Sequence, residues 1–226
     1  MTAERAFAWA GGGLFAGSLV FAAWSYVLAF GQPASWTGWA PVLVDTALLT
    51  AFAFHHSLFA REPVKRAIAR ICPERLLRSA YVWIASLLFA GVCLFWRTIG
   101  GTAYDLVSWP RVLLFGVQVV GVGFAIQAAR AIDPLELAGI RTRAGTGTLE
   151  HRGPYALVRH PLYLGWVLMV GAAPHMTGDR LVFALVTIAY LLVAITWEER
   201  SLESNFGEAY RRYQARVRWR IVPFLY

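Results

Sequence analysis

Long apolar runs alternate with short polar clusters along the whole chain. A spanning helix needs about 20 mostly apolar residues. Six stretches come near that length: 7–30, 41–59, 79–96, 110–129, 161–176 and 181–197. The breaks between them differ in kind. Gly31, Pro33 and Gly38 mark a short uncharged loop after the first. A basic loop carrying Arg61, Lys65, Arg66, Arg70, Arg75 and Arg78 follows the second. Between Arg130 and His160 the chain turns polar, and Gly139, Gly145, Gly147 and Gly153 with Pro134 and Pro154 read as a structured loop. Thr177-Gly178-Asp179 is a tight turn, and the tail from Glu198 is amphipathic and basic to Arg220. The pattern predicts an all-α polytopic membrane protein with about six transmembrane helices. It predicts one integral membrane domain over 1–226, with four spans in 1–129 and a helical hairpin with an amphipathic tail in 130–226. No internal repeat is visible.

Composition agrees with the pattern. Of 226 residues 58% are hydrophobic and 15% charged, against roughly 45–50% and about 25% in a soluble domain. Ten tryptophans suit aromatic belts at the two membrane interfaces. The net charge of +8 does not point to nucleic acid, because the basic residues sit between apolar runs. With the N-terminus inside, Arg5, the 61–78 loop, the 130–159 stretch and the tail hold 18 of the 21 Lys and Arg, leaving Arg97, Arg111 and Arg180 outside. That asymmetry predicts six spans with both termini cytoplasmic, as in a bacterial inner membrane. The charge-free stretch 6–44 is too long for a signal-peptide core and reads as an uncleaved first span. Cys72 and Cys93 form no CxxC pair and have no histidine at metal spacing, so neither a disulfide framework nor a metal site is expected.

Chemistry concentrates in two clusters, 159–165 (Arg-His-Pro-Leu-Tyr-Leu-Gly) and Glu198-Glu199. Pro161 suits the first turn of a helix and pushes His160 out of helical geometry. His160 therefore stands at the N-cap of the fifth span with Tyr163 in its first turn. The first amides of a helix lack partners and its dipole end is positive, which suits a carboxylate or a phosphate. Gly165 removes a side chain where a flat ligand can approach the backbone. Pro161 lies 17 residues before Gly178 and Glu198 lies 20 after it. Both therefore fall roughly 25–30 Å from the turn. The hairpin brings the Arg-His-Pro corner and the acid pair to the same depth, near the cytoplasmic interface. An acid pair beside a positive helix end fits a zwitterion with a cationic centre. Its plain alternative is an interfacial ion pair between Arg159 and the glutamates, which is common and weak when exposed.

At these residues the chain resembles the membrane-embedded S-adenosylmethionine-dependent methyltransferases, which include the isoprenylcysteine carboxyl and phospholipid methyltransferases. The resemblance rests on Gly153-Pro154-Tyr155, on residues 159–165, on Glu198-Glu199, and on Phe206-Gly207-Glu208-Ala209-Tyr210 with Tyr213. It covers about the last 90 residues. The remainder is similar to the methanethiol S-methyltransferase-like branch, through His56-Ser57 with Ala60-Arg61, residues 133–139, and Ala173-Pro174-His175-Met176-Thr177. Where typical members read Leu-Phe-Gly-Leu-Arg, this chain has Leu-Glu-Leu-Ala-Gly-Ile-Arg at 135–141. The resemblance implies a membrane methyltransferase with a cytoplasm-facing cofactor site in 130–226. It implies S-adenosylmethionine held by His160, Pro161, Tyr163, Gly165, Glu198 and Glu199. The acceptor it implies is a small thiol or an apolar, lipid-like molecule reached through the membrane lipids.

A thiol acceptor must react as its thiolate. His160, Tyr155 and Arg159 are the candidates for that catalytic role, as a base or as a positive field. A carboxylate acceptor would need a cation such as Arg159 or Arg216 to orient it, and His56, near the inner end of the second span, is a further substrate-side candidate. Asp45 and His55 are either functional or ordinary polar residues at a span end. Two other classes of function compete. A sterol-reductase-type NADPH enzyme has a similar Arg-His-Pro-x-Tyr-x-Gly corner and a Pro-x-x-Tyr ending like 223–226. A non-enzymatic membrane component would keep the spans without a cofactor pocket. The short chain and Glu198-Glu199 favour the methyltransferase.

Overall fold

A computed structural model describes residues 2–59, 61–70, 72–141 and 149–226; Ala60, Gly145 and Gly147, named above, lie outside them. Helix α1 (Ala3–Trp24) starts on Thr2, whose hydroxyl accepts from the Arg5 amide at 3.4 Å, and runs on through a π turn at Ser25–Ala29. Then follow α2 (Trp39–Phe59), a short α3 (Glu62–Ile68), α4 (Glu74–Leu94), strand β1 (Thr102–Asp105) and α5 (Ser108–Ile132). After the one-turn α6 (Pro134–Leu137) and a 3-10 turn at Gly153–Ala156 come α7 (Pro161–Gly171), strand β2 (His175–Thr177), α8 (Gly178–Phe206) and α9 (Glu208–Arg216). The two short strands pair into a small sheet.

The chain is an all-α polytopic membrane protein. Among the described residues five helices, ending with α8, are long and apolar enough to cross a membrane. The fifth expected span, 161–176, differs. Its helix has 11 residues, about 16 Å at 1.5 Å per residue, which is half of a hydrocarbon core of about 30 Å. The cause is Pro174, which disfavours helical backbone in the residue before it and cannot donate to a continuing helix. From there the chain runs extended into β2. Helix α8 errs the other way: it has 29 residues and carries Glu198-Glu199 inside it, seven or more residues before Phe206. It stops where Gly207 takes a positive φ of 53°, open to glycine at little cost, and the Gly207 amide bonds back to Glu203 at 2.8 Å.

The described chain groups into two compact units. One comprises Met1–Ala103, Leu135–Thr142 and Met176–Val186. Within it α1 and α2 both pack on α4. Phe30, Trp96 and Phe183 form an aromatic knot, with ring centroids 4.5, 5.6 and 5.8 Å apart. Buried acids hang the loop after α4. Asp179 accepts from the Trp96 indole at 2.8 Å and from the Ile99 and Gly100 amides at 2.9 Å each. Asp45, wholly buried, accepts from the Arg97 amide at 3.0 Å, so this carboxylate ties down a loop. Arg180 donates to the Tyr26 and Val27 carbonyls at 3.0 and 2.7 Å, capping the π turn.

The second unit comprises Tyr104–Pro134, Arg143–His175 and Thr187–Tyr226. Here α7 packs on α5 with backbone against backbone. A Cβ on Gly165 would lie 2.7 Å from the Ala125 amide nitrogen and from the Gly121 carbonyl oxygen. Gln118 reaches across to the Met169 carbonyl at 2.7 Å. Val158, Leu164, Ile195 and Ile221 form a buried apolar floor, flanked by Phe124, Val167 and Trp219. Beyond Gly207, α9 buries Tyr210 and Tyr213 beside Leu149, Leu202 and Phe206. These tyrosines are three residues apart on one helix face, leaving Arg211 and Arg212 exposed on the other.

Candidate functional site

The polar residues of the second unit converge above its apolar floor. Helix α7 begins at Pro161, with His160 as its non-helical N-cap (φ −123°, ψ 65°), as the X-Pro geometry requires. Helix α8 runs past it and presents two consecutive glutamates with different surroundings. Glu199 is buried. Its Oε1 accepts from Arg159 Nε at 2.6 Å and lies 3.4 Å from His160 Nε2, at the long limit of hydrogen bonding. Its Oε2 accepts from Arg220 Nε at 3.1 Å. Glu198 is half-exposed, with a side chain 43% accessible. Its Oε2 accepts from the Tyr163 hydroxyl at 2.7 Å and stands 3.6 Å from His160 Nδ1. The His160 ring, 4% exposed, stacks on Tyr163 at 5.4 Å and lies between both acids.

Arg159 is as fully engaged as Glu199. Beyond the ion pair, its Nη1 donates to the Val217 and Arg218 carbonyls at 2.8 and 2.7 Å. A buried pair of this kind costs several kcal/mol in desolvation and is tolerated only when its remaining donors and acceptors are met. The segment after α9 meets them. Its Trp219 and Arg220 carbonyls also take the Arg159 and His160 amides, at 2.9 and 2.8 Å. Tyr155, in the 3-10 turn, offers its carbonyl to the Tyr213 hydroxyl at 2.7 Å. Burial pushes the Tyr155 phenol above its ordinary range, with the Glu198 charge adding to it. Burial also pushes the Tyr213 phenol up, to about 12, although Arg159 pulls the other way.

The structure thus brings together Arg159, His160, Pro161, Tyr163, Glu198 and Glu199. Gly165 lies one turn into α7 with the place of its missing side chain taken by α5. Arg216 is exposed at the last turn of α9. His56 belongs to the first unit, where its Nδ1 hydrogen-bonds the Tyr81 hydroxyl, while His55 packs its ring 4.3 Å from Phe59 and 5.9 Å from Tyr81. Sequence reasoning missed three residues. Arg220 and Tyr226 come from the segment after α9, which forms no helix. Tyr210, 1% exposed, has a buried hydroxyl with no hydrogen-bond partner among the described residues, and it lies within electrostatic range of Glu199 and Arg159. The spacing of Tyr210 and Tyr213 on an otherwise charged helix was the available signal.

No protein-family model matches the chain, and no solved structure matches it. Curated proteins do. Methanethiol S-methyltransferase 2 of Bradyrhizobium diazoefficiens is 38% identical over 193 residues, covering 82% of this chain and 74% of that protein. The methanethiol S-methyltransferase of a Pseudomonas species is 34% identical over 185 residues, 78% of this chain and 71% of that protein. The chain belongs to the methanethiol S-methyltransferase family. Nurim of Xenopus laevis is more distant, 29% identical over 165 residues, 66% of this chain and 58% of that protein. As a member of the methanethiol S-methyltransferase family the protein is an integral membrane methyltransferase and requires a methyl donor. The methyltransferase expectation is the one the family carries, rather than the reductase or the non-enzymatic alternative.

Proposed function

We propose that the corner formed by α7, α8 and the tail binds S-adenosylmethionine, and that the protein transfers its methyl group to a small thiol. The observation that carries this reading is the unequal state of the two glutamates. Glu199 is held by two guanidinium groups, whereas Glu198 keeps a half-exposed carboxylate beside a helix N-terminus. A zwitterion fits that arrangement. Glu198 takes the ammonium. Pro161 has no N–H and the Tyr163 and Leu164 amides already bond the His160 carbonyl, so the carboxylate falls to the Leu162 amide at the positive end of α7 and to the buried His160 ring. The unpartnered Tyr210 hydroxyl and the long His160–Glu199 contact are polar capacity that a ligand would use.

Bound there, S-adenosylmethionine supplies a methyl carbon activated by its sulfonium. The residues of the chain orient the reactants and exclude water. A phenol with an ordinary value of about 10 keeps its proton at neutral pH, and burial raises those of Tyr155 and Tyr213 further, so Tyr155 serves as a donor rather than a base. Arg159 is bound to Glu199 and to two carbonyls and acts by fixing the corner. His160 is the group left to favour the thiolate, as a donor beside it. The thiol class follows the names of the bacterial relatives. Gly165 contributes by letting α7 seat against α5. The charge asymmetry of the loops supports both termini in the cytoplasm of a bacterial inner membrane, with the thiol or a similar apolar acceptor arriving among the membrane lipids.

Calorimetric titration of detergent-purified protein tests the reading. Wild type should bind S-adenosylmethionine saturably and NADPH not at all. Glu198→Gln removes a charge-assisted contact of about 1.5–3 kcal/mol and should weaken binding roughly ten- to hundredfold, with His160→Ala comparable. Transfer of radiolabelled methyl to methanethiol, but not to a prenylcysteine or phosphatidylethanolamine, fixes the acceptor. Wild-type binding of NADPH in place of S-adenosylmethionine would overturn the assignment.

A further inference from the structure

The tail beyond α9 folds back on itself and ends against the candidate site. The carbonyl oxygen of Tyr226 accepts the amides of Arg220, Ile221 and Val222 at 2.9, 2.9 and 3.2 Å. Phe224 adopts a positive φ of 67°, rare outside glycine, and its ring sits 5.4 Å from that of Trp219. The result places the Tyr226 side chain on Arg220 twice. The Tyr226 hydroxyl is 3.0 Å from Arg220 Nη1, and the guanidinium lies 5.3 Å from the centre of the Tyr226 ring. The remaining donor edge of Arg220 points at Glu199, 3.1 Å away.

A side chain as long and as exposed as Arg220, 36% accessible, ordinarily samples many rotamers, and exposed pairs are weak for that reason. Tyr226 removes that freedom by taking Nη1 with its hydroxyl and setting its ring beneath the guanidinium carbon. We infer that Tyr226 is a positioning residue for the cofactor site, acting through Arg220 on Glu199. With Oε2 of Glu199 held by Arg220, its Oε1 stays on Arg159 and beside His160, and Glu198 alone faces the ligand. Without Tyr226, Arg220 leaves Glu199 and the carboxylate turns, so Glu198 no longer faces the ligand alone. No reacting group is touched. The effect therefore falls on cofactor affinity and not on the rate from the bound state. This inference rests on the reading of the corner as the S-adenosylmethionine site.

The test compares wild type, Tyr226→Phe, Tyr226→Ala, Arg220→Lys and the double variant Arg220→Lys/Tyr226→Ala, by S-adenosylmethionine titration and by steady-state methylation of methanethiol. Tyr226→Phe keeps the ring and loses the hydroxyl, so KM for S-adenosylmethionine should rise roughly two- to tenfold. Tyr226→Ala should raise it roughly tenfold or more. In both, kcat should stay within about twofold, the signature of lost ground-state binding. The double variant should be no weaker than Arg220→Lys alone, because both changes break one chain of contacts. Unchanged affinity in Tyr226→Ala, or a fall in kcat with KM unchanged, overturns the positioning role while wild-type binding still upholds the site. Absence of S-adenosylmethionine binding by wild type overturns the site, and this role for Tyr226 with it.

Discussion

Two neighbouring glutamates with the same side chain have opposite consequences when changed. Glu199 is buried against Arg159 and Arg220, and removing one partner of a buried ion pair costs about 3–5 kcal/mol. Thermal unfolding in detergent should therefore show a large loss for Arg159→Ala and for Glu199→Gln, and a loss under about 1 kcal/mol for the half-exposed Glu198→Gln. Equal losses for the two glutamine variants would contradict the division of labour. Tyr213 adds a pH dependence. Its phenol is pushed up to about 12 by burial, against about 10 in the unfolded chain. The folded state thus holds this proton more tightly. The corresponding stability is complete below pH 10 and is lost as pH rises toward 12. Tyr213→Phe should flatten that part of the unfolding profile. Which glutamate does which task was not legible in the sequence. Adjacent helical residues point about 100° apart, but what Glu199 meets is decided by Arg220, 21 positions on, in a bent segment with no periodic pattern. The presence of a corner was legible, because Pro161 and the hairpin arithmetic depend only on local geometry.

At the scale of elements, the seam between α5 and α7 rests on two glycines. A Cβ on Gly121 would come within 2.8 Å of the Gly165 carbonyl oxygen and of Leu168 Cβ, whereas at Gly116 and Gly123 nothing lies within 4 Å. Gly121→Ala and Gly165→Ala should therefore lower stability by about 1–3 kcal/mol through overpacking. Gly116→Ala and Gly123→Ala, at open positions of the same helix, should be neutral or gain about 0.5–1 kcal/mol. Thermal midpoints of the four variants check the contrast. Four spans lie within a few residues of where the apolar runs placed them. Residues 161–176 do not, because a hydropathy run counts composition and is blind to a helix broken by Pro174. Sequence suggested a ligand beside Gly165. The structure puts a second helix there, since a missing side chain looks the same whichever neighbour fills the gap.

Across the whole molecule, Lys and Arg distribution is the strongest orienting signal, with 18 of 21 in segments expected on one side. In a background with Cys72 and Cys93 replaced by alanine, a cysteine introduced at Arg97 should react with a membrane-impermeant maleimide on intact cells. One introduced at Arg212 should react only after lysis. The reverse pattern would invert the topology and put the candidate site on the other face. Membrane class was readable from the sequence because the bilayer imposes length and charge rules everywhere, whereas the count of six spans was not, since 161–176 holds an 11-residue helix. The loop ties of Asp45 and Asp179 were not, since each joins residues 52 to 83 positions apart.

The π turn at Ser25–Ala29 is what an α-helix becomes when one residue too many is threaded through it. The chain therefore carries a one-residue phase shift at this point. Deleting one residue of the five would restore an unbroken α-helix, and everything after it would be rotated by about 100°. Phe30 would then swing away from Trp96 and Phe183, and the carbonyls that Arg180 caps would be spent on the helix's own amides. A protein shorter by one residue, with more regular hydrogen bonding, should consequently be the less stable one.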